Sequence, residues 1–96
     1  MSQDPSARRF RPRAGLRVRQ LGAEAVLLDR AGCRVHHLNA TASFIFSAFD
    51  GRLSIAEVTE RVVAHFDVEP SVAARDVTDL VARLSADGLL ADDSET

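Results

Sequence analysis

Along the first third of the chain, apolar and polar residues alternate with a period of two. Leu16 and Val18 interleave with Arg17 and Arg19, which predicts a strand with one buried and one wet face. Leu21–Glu24 reads as a turn, and Ala25-Val26-Leu27-Leu28-Asp29 is apolar enough for a central strand. A short turn at Arg30–Gly32 leads to a third strand from Cys33 to Leu38. Connections this short favour an antiparallel meander in sequence order.

The period changes at Asn39, whose short polar side chain suits a helix N-cap. Three helices follow. The first runs from Ala40 to about Phe49, with an apolar stripe of Phe44, Ile45, Ala48 and Phe49, and is ended by Asp50-Gly51. The second opens on Ser54-Ile55-Ala56-Glu57, a capping box in which serine and glutamate each satisfy an orphan amide. Its Ile55, Val58, Val62 and Phe66 recur at helical spacing. Asp67–Pro70 forms the next turn, with Pro70 suited to the first helical position. The third helix carries Val77, Leu80, Val81 and Leu84 on one face and closes at Gly88, after which Leu89 and Leu90 pack back. The expected class is therefore α+β and winged-helix-like, a three-stranded antiparallel meander followed by three helices. Residues 1–14 read as a mobile basic arm that Phe10 can staple to the fold. Residues 15–90 form the domain, and residues 91–96 an acidic tail.

With 96 residues, 46% of them hydrophobic and 27% charged, the chain supports one core and no second domain. No apolar run approaches the roughly 18 residues of a membrane span, and no signal-peptide apolar region opens the chain, so a cytoplasmic location is expected. The net charge of -2 hides a polarity. Residues 1–34 carry eight arginines against three acids, a net +5, and the remainder carries four arginines against eleven acids, a net -7. That polarity can steer an acidic partner to the basic end, or lay the arm on the chain's own acidic helices.

Chemistry is sparse. Cys33 is alone, which excludes an internal disulfide and a thiolate cluster. His36 and His37 point to opposite faces of a strand, and Cys33 and His37 lie about 13 Å apart along it, so no metal site or other cofactor is expected. No nucleophile–base arrangement, Gly-rich phosphate loop or paired-carboxylate pocket is present, and a small domain offers little volume for a substrate cleft. The chain is not expected to be an enzyme. The four phenylalanines on helices, Phe44, Phe46, Phe49 and Phe66, sit at core spacing and not as a base-stacking platform. Winged-helix DNA binding is the alternative. However, the third helix would enter the major groove bearing Asp76, Asp79 and Asp87 against Arg75 and Arg83, a balance that repels phosphates.

That leaves the third strand. At the edge of a meander its outward amides and carbonyls are free to pair with a peptide, whose apolar side chains would fall between that strand and the third helix.

Three stretches in order carry a resemblance: Leu38-Asn39-Ala40-Thr41-Ala42, then Asp50-Gly51 with Ser54–Val58, then Asp76-Val77 through Leu80-Val81 and Leu84 to Gly88-Leu89-Leu90. Together with Val26–Asp29 and Gly32, this pattern resembles the PqqD-like family over roughly residues 16–90. The family's small proteins serve pyrroloquinoline quinone biosynthesis and related peptide-modification pathways, lasso peptides among them. The resemblance implies a recognition element that binds the leader of a ribosomally made precursor by strand addition to the third strand. It then presents the leader to a modifying enzyme, often a radical S-adenosylmethionine protein. It implies contact at Arg34, Val35, His36, His37 and Leu38, and at Val72, Arg75, Asp76, Asp79, Leu80 and Arg83 on the third helix. Arg34, Arg75 and Arg83 would select acidic leader residues, and Asp76 and Asp79 basic ones. The family commonly has an acidic residue after its Leu-Asn pair and a Trp in the first helix, where this chain has Ala40 and Phe46. Pairing of two edges into a homodimer is a further arrangement open to such a strand.

Overall fold

The computed structural model describes residues 5–29 and 33–93. A single 3-10 turn at Pro5–Ala7 precedes β1 (Phe10–Pro12), β2 (Leu16–Leu21), β3 (Glu24–Asp29) and β4 (Arg34–Leu38). Helices α1 (Ala40–Ala48), α2 (Ile55–Phe66) and α3 (Pro70–Ala86) follow, and β5 (Leu90–Asp92) closes the described chain. β2, β3 and β4 form an antiparallel meander in sequence order, as expected, and the fold is α+β. The turn expected at Arg30–Gly32 lies outside the described residues.

Strand register assigns the faces. Ala25, Leu27 and Asp29 on β3 stand opposite Leu38, His36 and Arg34 on β4, so these six share the inner face. Val26 and Leu28 share the outer face with His37 and Val35. Ala25 and Leu27 are buried, and α1 packs over them. The helices reach that core with Ile45 and Phe46 from α1, Val58 and Val62 from α2, and Val77, Leu80, Val81 and Leu84 from α3, while Phe44 and Ala48 of the expected α1 stripe are only half-buried. Burying a side chain of this size contributes about 1.5–3 kcal/mol, which makes this contiguous cluster the main source of stability.

The helix ends are fixed locally. Ser54 Oγ accepts the Glu57 amide at 3.2 Å while the Glu57 carboxylate accepts the Ser54 amide at 2.9 Å, the reciprocal box read from the sequence. The bond from the Ser54 amide, and after it the Ser54 side chain, hold the Glu57 carboxyl below the usual glutamate range. Asp67 ends α2 in the left-handed conformation, and Pro70 sits in the first turn of α3.

Two expectations are corrected. Residues 5–14 of the supposed mobile arm are docked in a built structure: β1 pairs with β5, Phe10 is 5% exposed, and its ring meets Phe49 edge-on at 6.0 Å. Backbone bonds from Ile55 to the Arg8 carbonyl, Gly51 to that of Phe10 and Asp93 to that of Arg9 fasten it further. Gly51 adopts φ +88, a conformation that L side chains rarely take, so this turn favours glycine. Arg8 pairs with Asp92 and Arg11 with Asp93 at 3.6 Å, so the basic arm lies on the acidic C-terminal strand, and the segment around Arg8 also meets the start of α2. Residues 91 and 92 accordingly belong to β5 and not to a free tail. The second correction concerns β2. Its inward residues were expected to be buried; Leu16 packs partly against the core, but Val18 between the two ends of the strand is 48% exposed.

Candidate functional site

β4 is the edge of the sheet on the side that continues into the helices. Along Arg34–Leu38 it pairs with β3, and among the described residues no strand lies on its other side. The strand ends directly in α1, because Asn39 Oδ1 accepts the Ala42 amide at 2.8 Å and turns the chain with no intervening loop. The open edge therefore arrives at the start of a helix.

Beside that junction is an open cleft of about 300 Å³. One wall is Asn39, Thr41, Ala42 and Ile45; the other is Asp76, Asp79, Leu80 and Arg83 of α3. The α3 residues recur at i, i+3, i+4 and i+7, which places them on one stripe of the helix. Leu80 and Ile45 are buried and supply an apolar floor, while Asp76, Asp79 and Arg83 are exposed on the rim. None of those three charges is in an ion pair among the described residues.

The structure sorts the expected site residues. Asp76, Asp79, Leu80 and Arg83 line the cleft, whereas Val72 is half-buried and Arg75 exposed, and neither lines it. On β4 the side chains divide by face. Leu38 is 1% exposed and belongs to the core, so a ligand can reach only its backbone. His37 points to the outer face, where its Nε2 lies 2.7 Å from the Glu24 carboxylate. Val35, on that same face, is 68% exposed. Arg34 and His36 point to the inner face, and His36 Nε2 is buried there without a hydrogen-bond partner. Asn39, Thr41, Ala42 and Ile45 were not expected as site residues. Their spacing reads as a cap and a core stripe, and the cleft exists only once α3 has packed against α1.

Among the described residues no group of three or more His, Cys, Asp or Glu is placed to hold a metal. On α3 the exposed Asp76 and Asp79 stand among the exposed Arg75 and Arg83, a mixed charge that disfavours phosphate contact there.

The architecture is that of a small α+β domain in which a meander leads through a capped junction into a helical layer. The family profile described as coenzyme PQQ synthesis protein D (PqqD) matches residues 24–90, and the chain belongs to that family. A lasso peptide synthetase B1, solved complexed with the leader peptide, is 32% identical with a TM-score of 0.76, the match covering 85% of this chain and 96% of that one. TbiB1 in complex with the TbiA(beta) leader peptide is 22% identical with a TM-score of 0.76, over 83% and 93% of the two chains. The PqqD truncation of Methylobacterium extorquens PqqCD is described as a functional, stand-alone recognition element for ribosomally synthesised and post-translationally modified peptides. It is 22% identical with a TM-score of 0.73, over 94% and 95%. At that identity the last two establish likeness of fold. No curated protein sequence matches the chain.

Proposed function

We propose that this protein binds the leader of a ribosomally made precursor peptide by strand addition to β4, and presents it to a modifying enzyme without bond-making chemistry of its own. The observation that carries this reading is the continuity at Asn39, where an unpaired strand edge runs directly into a cleft walled by α3. A peptide laid along that edge gains main-chain hydrogen bonds and directs alternate side chains inward. Arg34, His36 and the cleft wall would meet the inward set. Val35 and His37 would flank the outward set, and Leu38 would contribute backbone alone. On the rim, Arg83 would favour acidic leader residues and Asp76 and Asp79 basic ones. Val72 and Arg75 extend the same helix and would meet a leader longer than the cleft. Ordering a short flexible peptide consumes several kcal/mol, so affinity depends on one or two apolar anchors settling against Ala42 and Leu80.

The greater identity to the lasso synthetase B1 than to the PqqD truncation supports a leader of the lasso kind. The partner would then be a modifying enzyme of that pathway, and a radical S-adenosylmethionine protein if the precursor belongs to the quinone branch. No described helix is long and apolar enough to cross a membrane, which agrees with work in the cytoplasm. A homodimer through β4 would occupy the same edge and compete with the leader.

The test is calorimetric titration of the chain with the leader and with the core segment of a candidate precursor from the same genome. Binding confined to the leader supports the reading. Binding confined to the core segment overturns it.

A further inference from the structure

The sheet has a second free edge. β2 pairs with β3 through Leu16–Leu21, and among the described residues nothing pairs with its other side. Its inner face is covered only at its ends, where Leu16 packs partly against the core and Gln20 reaches Ser43 of α1 at 3.4 Å. Val18, opposite buried Leu27, is 48% exposed on the inner side, and Leu21 is 54% exposed on the outer side. Three large hydrophobic side chains are exposed among the described residues, and β2 supplies two of them. A six-residue edge with apolar side chains is a template for strand pairing, so the charges on it decide what can pair there.

Those charges are Arg17 and Arg19. Register places them opposite Leu28 and Val26 on the outer face, both are exposed, and neither is in an ion pair among the described residues. Glu24 is the one acid on the outer face of β2, β3 and β4, and His37 already engages it at 2.7 Å. The outer face at β2 thus presents two uncompensated positive charges beside half-buried Val26 and Leu28.

The spacing discriminates between occupants. A second copy could pair its β2 antiparallel while keeping both helical layers on one side of a continuous sheet. Centred on Arg17, Val18 or Arg19, that register sets arginine directly opposite arginine, where like charges are destabilising. A strand with acidic residues at alternate positions meets both arginines on the outer face and can place an apolar side chain over Val18 on the inner one. The same two charges exclude one partner and select the other.

We infer that β2 is a second docking edge, which takes an extended acidic segment of a partner protein, with carboxylates alternating against Arg17 and Arg19. It lies across β3 from the β4 edge, so both can be occupied together. The inference is independent of what β4 binds.

The experiment uses the full chain, isotopically labelled, and three synthetic ten-residue probes. One alternates glutamate and valine, one has the same composition with the glutamates in a block, and one alternates lysine and valine. The alternating acidic probe is expected to shift the amides of residues 16–21 and to bind at least tenfold more tightly than the other two. The Arg17→Glu/Arg19→Glu variant, whose substitutions are on an exposed edge, should lose that probe and gain the lysine one. Equal response to the blocked acidic probe, or shifts centred on residues 34–38, overturns the inference. A second variant reads the exclusion of self: Arg17→Thr/Arg19→Thr should associate with rising concentration in sedimentation, and a monomer at every concentration contradicts the role given to the arginines.

Discussion

Asn39 Oδ1 receives the Ala42 amide at 2.8 Å, and with the Ser43 amide on the Asn39 carbonyl it joins the end of the edge strand to the first turn of the helix that walls the cleft. Asn39 also lines the cleft itself. Asn39→Ala removes an N-cap, which costs about 1 kcal/mol, and a domain of this size should lose about 4–8 °C in Tm for it. If the junction also sets the angle between edge and cleft, leader affinity should fall by more than the unfolded fraction explains. Calorimetry well below the transition measures that excess.

Along an antiparallel edge, successive residues turn their amides alternately toward the neighbouring strand and away from it. Of Val35→Pro and His36→Pro, one therefore removes a ladder bond to β3 and the other an outward amide. One variant should be less stable than the parent. The other should keep its Tm and bind the leader more weakly. Denaturant melts and titrations of the pair separate the two, and equal affinity in both folded variants would count against outward pairing at these residues.

The rim charges can be changed without touching the core. Asp79→Ala and Arg83→Ala lie at exposed positions and should shift stability by no more than about 0.5 kcal/mol. Each should alter the association rate and its dependence on salt, with opposite signs for the two residues. Stopped-flow binding at two ionic strengths reads both.

Docking of the N-terminal segment makes a prediction that a mobile arm would not. Phe10 is 5% exposed and packs edge-on against Phe49. Phe10→Ala should destabilise the fold by about 3–5 kcal/mol, measurable by chemical denaturation. An arm free in solution would leave stability unchanged.

The capping box of α2 gives a pH dependence whose direction is fixed. The Glu57 carboxyl is held below its usual range by bonds from Ser54, so its folded value lies under its unfolded one. Its contribution is fully present above the unfolded value and disappears as pH falls through the folded one. The stability gap between the parent and Glu57→Ala should accordingly be constant near neutrality and shrink in acid below the ordinary carboxylate range. Melts across that range test it.

What the sequence disclosed, and what it hid, follows from how local each signal is. The capping box, Pro70 and the period of Val77, Leu80, Val81 and Leu84 are written in neighbouring residues, and the helices came out accordingly. The meander followed from the shortness of its turns. β1 and β5 are three residues each, too brief to show a period, and Phe10 finds Asp92 only across nearly the whole chain. The exposure of Val18 depends on which parts of β2 the rest of the fold covers, which no residue on β2 records. The cleft divided in the same way. Its α3 wall came through the family resemblance, but Thr41, Ala42 and Ile45 look like any core stripe until α3 is beside them.

The central claim is that β4 and α3 grip one peptide between them. Its most direct measure is amide chemical-shift mapping of the full chain with the leader of a candidate precursor from the same genome. If the leader pairs along β4, the amides of residues 34–38 and those around Asp76 to Arg83 should move together and saturate at one equivalent. Shifts confined to the docked N-terminal segment, or to α3 with β4 silent, would contradict strand addition.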